Sequence, residues 1–405
     1  MTIQGHTALH MRYALKRDKN YLQKGEFNMK KKLLSLLLCG TMALSLVACG
    51  GGNSESTDTT TENTETTETT DQTTEGETTE LSEEEAWKAE PAYGKTIRYW
   101  YSDGCTSGPA MADALGYFAE EGLTAEHAKG ETYTEALGTG NAEVAVGHIA
   151  TMLVPSTNGV DLTFVGGAHI GCKSIYVLAD SPYQTAADLK GTKISVPNGI
   201  GASDYNITAC LLESDGVNPL EDVDLVQVET SACVASMQNG EISAALLSDT
   251  FAYKLVQDGT LRCVRSLLDE DWSQRPCCVI AMNATFVKEN PITAKKVATA
   301  VKKAHIWMNA NPEEATQMLI DMGLNSEDLE MNTMLNSAIH FGVDDATAEA
   351  GLRFITENYI KLGIITSTQD VEAVMAKAWT PIAPEIDAEC DTNYKPYDPN
   401  SAKAE

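Results

Sequence analysis

The chain predicts an α/β protein of two lobes, and three observations carry that prediction. Strand-like and helix-like segments alternate from about residue 94 onward, the mark of βαβ units with largely parallel sheets and right-handed crossovers. The region holds about 300 residues, more than a single core organises. Ahead of it stand a short basic and apolar stretch and a long acidic segment that has almost nothing to bury.

Residues 1–28 show no apolar period and precede a complete export signal. Lys24-Gly25-Glu26-Phe27-Asn28 can be encoded by a purine-rich ribosome-binding stretch, so translation is expected to begin at Met29, with 1–28 a mis-called upstream extension. From Met29 come lysines, an apolar run too short to span a bilayer, and Leu46-Val47-Ala48-Cys49. That ending fits a bacterial lipobox: a signal peptide over 29–48 and a diacylglycerol on the Cys49 thiol. An ordinary secretory signal or weak membrane anchor is the alternative. Residues 49–90 then read as a disordered tether, with no lysine or arginine from Gly50 to Glu85. Much of the net charge of −29 belongs to this spacer, and the acidity argues against a nucleic-acid partner.

The remaining elements follow from periodicity and punctuation. Thr96–Tyr101 reads as a strand, Pro109–Glu121 as a helix ending at Gly122, and Leu123–Ala128 as a strand. Tyr133–Leu137 is a short helix, followed by strands at Val144–Val146, Leu162–Val165 and Ser174–Leu178. The second half repeats the logic with strands at Lys193–Val196, Leu225–Val228, Ala244–Leu247, Leu261–Val264 and Cys278–Ala281. Its helices are Ser203–Ser214, with Gly216 just past the end, and Ser231–Gln238. From Pro291 the chain turns helical, including Thr293–Asn309 and Ala348–Lys361. Beyond the export signal, no stretch is long and apolar enough to cross a bilayer.

Three segments carry a family resemblance. Ala114–Leu123 matches G-Y/F-F-x-x-E-G-L, Thr185–Val196 matches D-L-K-G-K-x-I-x-V, and Asn239–Ala245 matches G-x-I-D-A-A. Glu143 and Ser243 stand where aspartates are usual. In this order and spacing, over roughly residues 94–380, the chain resembles the solute-binding lipoproteins of ABC importers in the nitrate/sulfonate/taurine and thiamine-pyrimidine group. The resemblance implies a type II periplasmic-binding-protein fold, two lobes joined by two crossover strands, with a helical C-terminal part. Lobe one would take 94–179 and 279–385, lobe two 180–278, and 386–405 would form a tail. The crossings would fall near Val177–Tyr183 and Arg275–Val279. It also implies a monomer that closes on a small solute and delivers it to a membrane permease and its ATPase, touching the membrane through the lipid alone.

In open parallel sheets ligands sit beyond strand C-termini, against helix N-termini. That rule selects Asp103, Gly104, Cys105, Thr106 and Ser107 after the first strand, and Gly201, Ala202 and Ser203 in the matching loop of the second lobe. The latter lacks a P-loop lysine. Thr230 and Ser231 add donors, Asp249 an acceptor, and Trp100 or Tyr101 a stacking surface, with helix caps or core packing as the plainer readings. His148, His169, Cys172, Cys277 and Cys278 fall near the same mouth. With Cys105 they admit four readings: buried thiols, disulfides, a thiolate–imidazole metal site, or the wall of an organic-ligand pocket, the last preferred. The spacing is not that of a zinc finger, so a metal is the lesser reading for these six residues, and no cofactor is expected. Lys173 and Arg275 are the nearest basic residues, which favours a neutral or heteroaromatic solute, pyrimidine-like, over a bare anion. No catalytic motif is present; a metal-binding lipoprotein, or a pyrimidine-synthesis-like enzyme on the same fold, are the alternatives.

Overall fold

A computed structural model describes residues 81–102, 104–130 and 132–402. The upstream extension, the signal peptide, Cys49 and the tether as far as residue 80 lie outside the described residues, as does Asp103.

The segment 81–90, expected to be tether, is folded. Ser82 and Glu85 form a reciprocal capping box that starts α1 (Glu83–Ala89). Trp87 packs edge-on against Tyr93 with ring centroids 5.0 Å apart, and its indole N–H donates to Thr293 Oγ1 at 3.0 Å. The Glu90 carboxylate accepts the N–H groups of Ile292 and Thr293.

The alternation that follows builds two five-stranded sheets. The first half contains β1 (Thr96–Trp100), α2 (Gly108–Leu115), α3 (Tyr117–Glu120), β2 (Thr124–His127), α4 (Tyr133–Gly138), β3 (Val144–His148), α5 (Ile149–Thr157) and β4 (Thr163–Ile170). The expected helix 109–121 is broken because Gly116 adopts φ +84 and caps α2, a conformation that side chains other than glycine resist. Next come β5 (Lys173–Leu178), β6 (Lys193–Ser195), α6 (Ser203–Ser214), β7 (Asp224–Val226), α7 (Cys233–Gln238), β8 (Ala244–Ser248), α8 (Asp249–Gln257) and β9 (Leu261–Ser266). Finally β10 (Pro276–Met282) leads into α9 (Ala284–Glu289), α10 (Pro291–Ala310), α11 (Pro312–Asp321), α12 (Leu329–Ile339), α13 (Asp345–Lys361) and α14 (Val371–Ala378).

The strand orders are β2-β1-β3-β10-β4 and β7-β6-β8-β5-β9. In each sheet four strands run the same way and one is reversed, so two ladders are parallel and two antiparallel; the expectation of largely parallel sheets holds for strand direction but for only half of the pairings. In each, the fourth strand has crossed from the other lobe and therefore arrives reversed: β5 enters the second sheet and β10 re-enters the first. The change of sheet occurs at Gly171-Cys172, between β4 and β5, rather than at Val177–Tyr183; residues 173–178 belong to the second sheet. The return runs through 267–275, and Cys277 and Cys278 lie in the first sheet.

Behind the sheets the lobes are fastened together. Asn206 Nδ2 of α6 donates to the Ala150 carbonyl of α5 at 2.7 Å. Arg275 stacks 3.5 Å from the centre of the Phe354 ring and 5.0 Å from that of Trp272, at the back rather than beside a ligand. Residues 386–402 form a strap: Tyr394 donates to Asp344 at 2.7 Å, Tyr397 N to Leu268 O at 3.0 Å, and the Asn400 amide brackets the Cys263 backbone on edge strand β9. Among the described residues no helix is long and apolar enough to cross a membrane.

Candidate functional site

A cleft of about 620 Å³ is lined by residues of both halves of the fold and of the helical part. Its floor is the hinge: Gly104 and Cys105 from the turn after β1, His148 at the end of β3, and Cys172-Lys173 at the change of sheet. Ser248, Thr250 and Phe251 come from the second lobe, and Leu324, Asn325 and Met331 from the helical part. Such a wall, mostly apolar with a few converging polar groups, suits a small organic molecule. The turn is held in place by the Gly104 N–H, which donates to Leu324 O at 2.9 Å.

Several residues anticipated as ligand contacts are committed elsewhere. Thr106 Oγ1 accepts the Ser102 N–H at 3.2 Å, and the fully buried Ser107 hydroxyl donates to Gly104 O at 2.6 Å, so both brace the turn. Trp100 leans on Tyr133, centroids 5.3 Å apart, and its N–H reaches Gly130 O at 3.4 Å. Tyr101 packs against His127 at 4.2 Å. The loop carrying Gly201, Ala202 and Ser203 is gathered by Asp204, which accepts the Asn198 N–H at 3.0 Å and pairs with Lys173. Neither that loop nor Thr230 and Ser231 line this cleft. Asp249 is buried and accepts from Ser174 and Tyr176 hydroxyls at 2.7 Å each, inside the second lobe. Burial pushes its carboxyl up to about 6. Glu143 is structural: it accepts the Arg98 N–H at 2.6 Å and pairs with the guanidinium.

The cysteines and histidines, by contrast, converge. Cys277 Sγ lies 3.6 Å from Cys172 Sγ, 3.7 Å from Cys278 Sγ and 3.6 Å from His169 Nδ1. Cys278 Sγ is 3.5 Å from His148 Nδ1, and Cys105 joins through Cys172 and Cys278. Hydrogen bonds from those two thiols hold Cys105 well below the usual thiol range. Burial, then the Lys173 charge, pushes His148 down to about 4, leaving it neutral at pH 7. Burial opposes the Lys173 charge, but Asp204 keeps the ammonium above its ordinary range.

Phe251, Lys254, Asn325, Asn332 and Asn336 were not anticipated in the lining. A signal existed: Asn332 and Asn336 are four residues apart and share a helix face.

A two-lobed α/β body with its cleft at the hinge is the fold of periplasmic binding proteins, and comparison with solved structures agrees. The alkanesulfonate-binding protein SsuA from Xanthomonas axonopodis pv. citri superposes with a TM-score of 0.57 at 16% identity, covering 72% of this chain and 99% of that one. At such identity the likeness is one of fold. The NMT1/THI5-like family model matches residues 106–315, more than half of the chain, which therefore belongs to that family. A Brucella abortus protein named only as a binding protein is 25% identical over 236 residues, 56% of this chain and 69% of its own length. The nitrate/nitrite-binding protein NrtA of Synechococcus elongatus is 24% identical over 187 residues, 41% of this chain and 42% of that protein.

Proposed function

We infer that this chain is the solute-binding component of an ABC importer, capturing a small organic molecule between its lobes and presenting it to a membrane permease served by an ATPase. The cleft at the hinge carries the reading: lobes that move about the two crossings change its width, and a solute touching both lobes favours the closed form. Gly104, Cys105, His148 and Lys173 would hold the solute from the hinge side and Phe251 would stack on it from the second lobe. Lys173 is already neutralised by Asp204, which favours a neutral or heteroaromatic solute over a doubly charged one. The protein performs no chemistry on its cargo in this reading. It works outside the cell, tethered through a lipid on Cys49.

A binder of the native state raises the melting midpoint by mass action. A thermal-shift screen over pyrimidines, sulfonates and nitrate should give a shift with one class, lost in Phe251→Ala. No shift with any class would defeat the solute reading. Labelled palmitate should enter the wild-type protein and not Cys49→Ser; equal labelling would reject the anchor.

A further inference from the structure

We propose that Cys278, with Cys105 and His169 or with Cys277 and His148, forms a buried site at the cleft floor for one thiophilic d10 cation, zinc or cuprous copper. In each triad the donor atoms lie within 4.8 Å of one another. Zinc bonds of about 2.3 Å to sulfur and 2.0–2.1 Å to nitrogen imply tetrahedron edges of about 3.8 Å between sulfurs and about 3.5 Å between sulfur and nitrogen. The observed separations are 3.7 Å for Cys277–Cys278 and 3.5 Å for Cys278–His148. Small inward shifts would complete either set, and thiolate with imidazole is the donor chemistry that selects such ions.

Three further features distinguish this cluster of donors and the thiol beside it. Consecutive residues of a regular strand face opposite ways, yet Cys277 and Cys278 point together. The pairing of β10 with β4 slips between Pro276 and Cys278 and again between Cys278 and Val279, and such irregularities re-aim side chains. Cys172 sits at φ +97, where a non-glycine residue is strained, and that conformation brings its thiol to Cys277. His169 is fully buried, and its Nε2 has no hydrogen-bond partner. A buried polar atom left in that state asks for an occupant. Cys105, His148 and Cys172 reach the cleft wall, which provides the entry path. Binding would release the thiol protons to solvent. Cys105 and His148 also line the solute cleft, so the ion would sit in the floor of that cleft, and metal binding by the solute-free chain tests it apart from the solute reading.

The test uses the full chain, reduced and handled without oxygen. Cobalt(II) should bind with a thiolate charge-transfer band and tetrahedral d–d bands, at one equivalent, and zinc should displace it. Cuprous ion is measured separately by competition with a chromophoric chelator, and the tighter of the two names the ion. Cys278→Ser should weaken binding by on the order of 100-fold or more, since even partners outside the coordination sphere are worth 10–100-fold. Cys390→Ser, away from the cluster, should bind as wild type. Because Cys278 is buried, Cys105→Ser and His148→Gln at the cleft edge give a second reading: loss in one identifies its triad, and loss in both places the ion among all the donors. The proposal is overturned if the reduced wild-type chain, with its thiols freely titrating, saturates with neither zinc nor cuprous ion. Unchanged affinity in all three cluster variants would overturn it equally.

Discussion

Lys254 Nζ stands 3.0 Å from Asp328 Oδ2, joining α8 of the second lobe to the residue that caps α12 across the cleft. Both side chains are substantially exposed, so the pair holds the lobes together weakly. Lys254→Gln should therefore lower folding stability by less than about 1 kcal/mol. Asp328→Ala should cost more, because its carboxylate also accepts the Met331 N–H at 3.1 Å as the helix cap. Urea unfolding of the two variants checks the order, and equal costs would contradict it.

Asp249 predicts a pH dependence. Its carboxyl titrates at about 6 in the fold, above its ordinary value of 3.8. The folded state thus holds this proton more tightly than the unfolded chain, and stability falls as pH rises from about 4 through about 6. Asp249→Asn removes that loss. The variant should be more stable than wild type at pH 7.5, by on the order of 2 kcal/mol, with the difference vanishing near pH 4. Melting midpoints across that range provide the measurement.

Lys302 is almost fully buried and reaches Asp345 Oδ2 and Asp387 Oδ1 at 2.8 Å each. Lys302→Met would leave two carboxylates without their cation, at a cost of about 3–5 kcal/mol at neutral pH. Asp345 is pushed by burial up to about 6, so the penalty should shrink as pH falls toward 5 and this carboxyl takes a proton. A penalty unchanged between pH 7.5 and 5 would refute this.

The Asn400 amide bonds both the N–H and the C=O of Cys263, at 2.9 and 3.0 Å, on edge strand β9. Asn400→Ala should cost about 1–2 kcal/mol and speed hydrogen exchange of the Cys263 amide. Exchange at wild-type rate would show that the strap does not protect this edge.

A Cβ added at Gly108 would lie 2.0 Å from Nε2 of His305, itself fully buried. Gly108→Ala should destabilise by about 1–3 kcal/mol through overpacking. His305→Ala makes room, so the double variant should lose less than the two single costs combined.

Element types were largely legible because strand and helix periods survive in the side-chain pattern: Ser203–Ser214 has the expected bounds, and the strands shift by a few residues. Strand direction was not legible, since alternation reads the same in either orientation; hence the reversal of β5 and β10 went unread. The helix 83–89 lay unnoticed in an acidic, threonine-rich context that propensity reads as disorder, although Ser82 and Glu85 carried its cap. The candidate site divided in the same way. Fold logic placed cysteines and histidines near the cleft mouth one at a time. It misjudged Thr106, Ser107 and Asp249, whose polar atoms serve local turns and a buried cluster.

The sequence by itself determined an α/β chain of this family, with hydrophobic segments of the right period, because those properties are local and additive along the chain. Only the tertiary structure decided that Gly171-Cys172 is the point of crossing and that the slipped pairing of β10 turns two neighbouring thiols toward two distant imidazoles. Those outcomes depend on which strands meet and in what register, and residues more than a hundred positions apart must be packed together before either can be read.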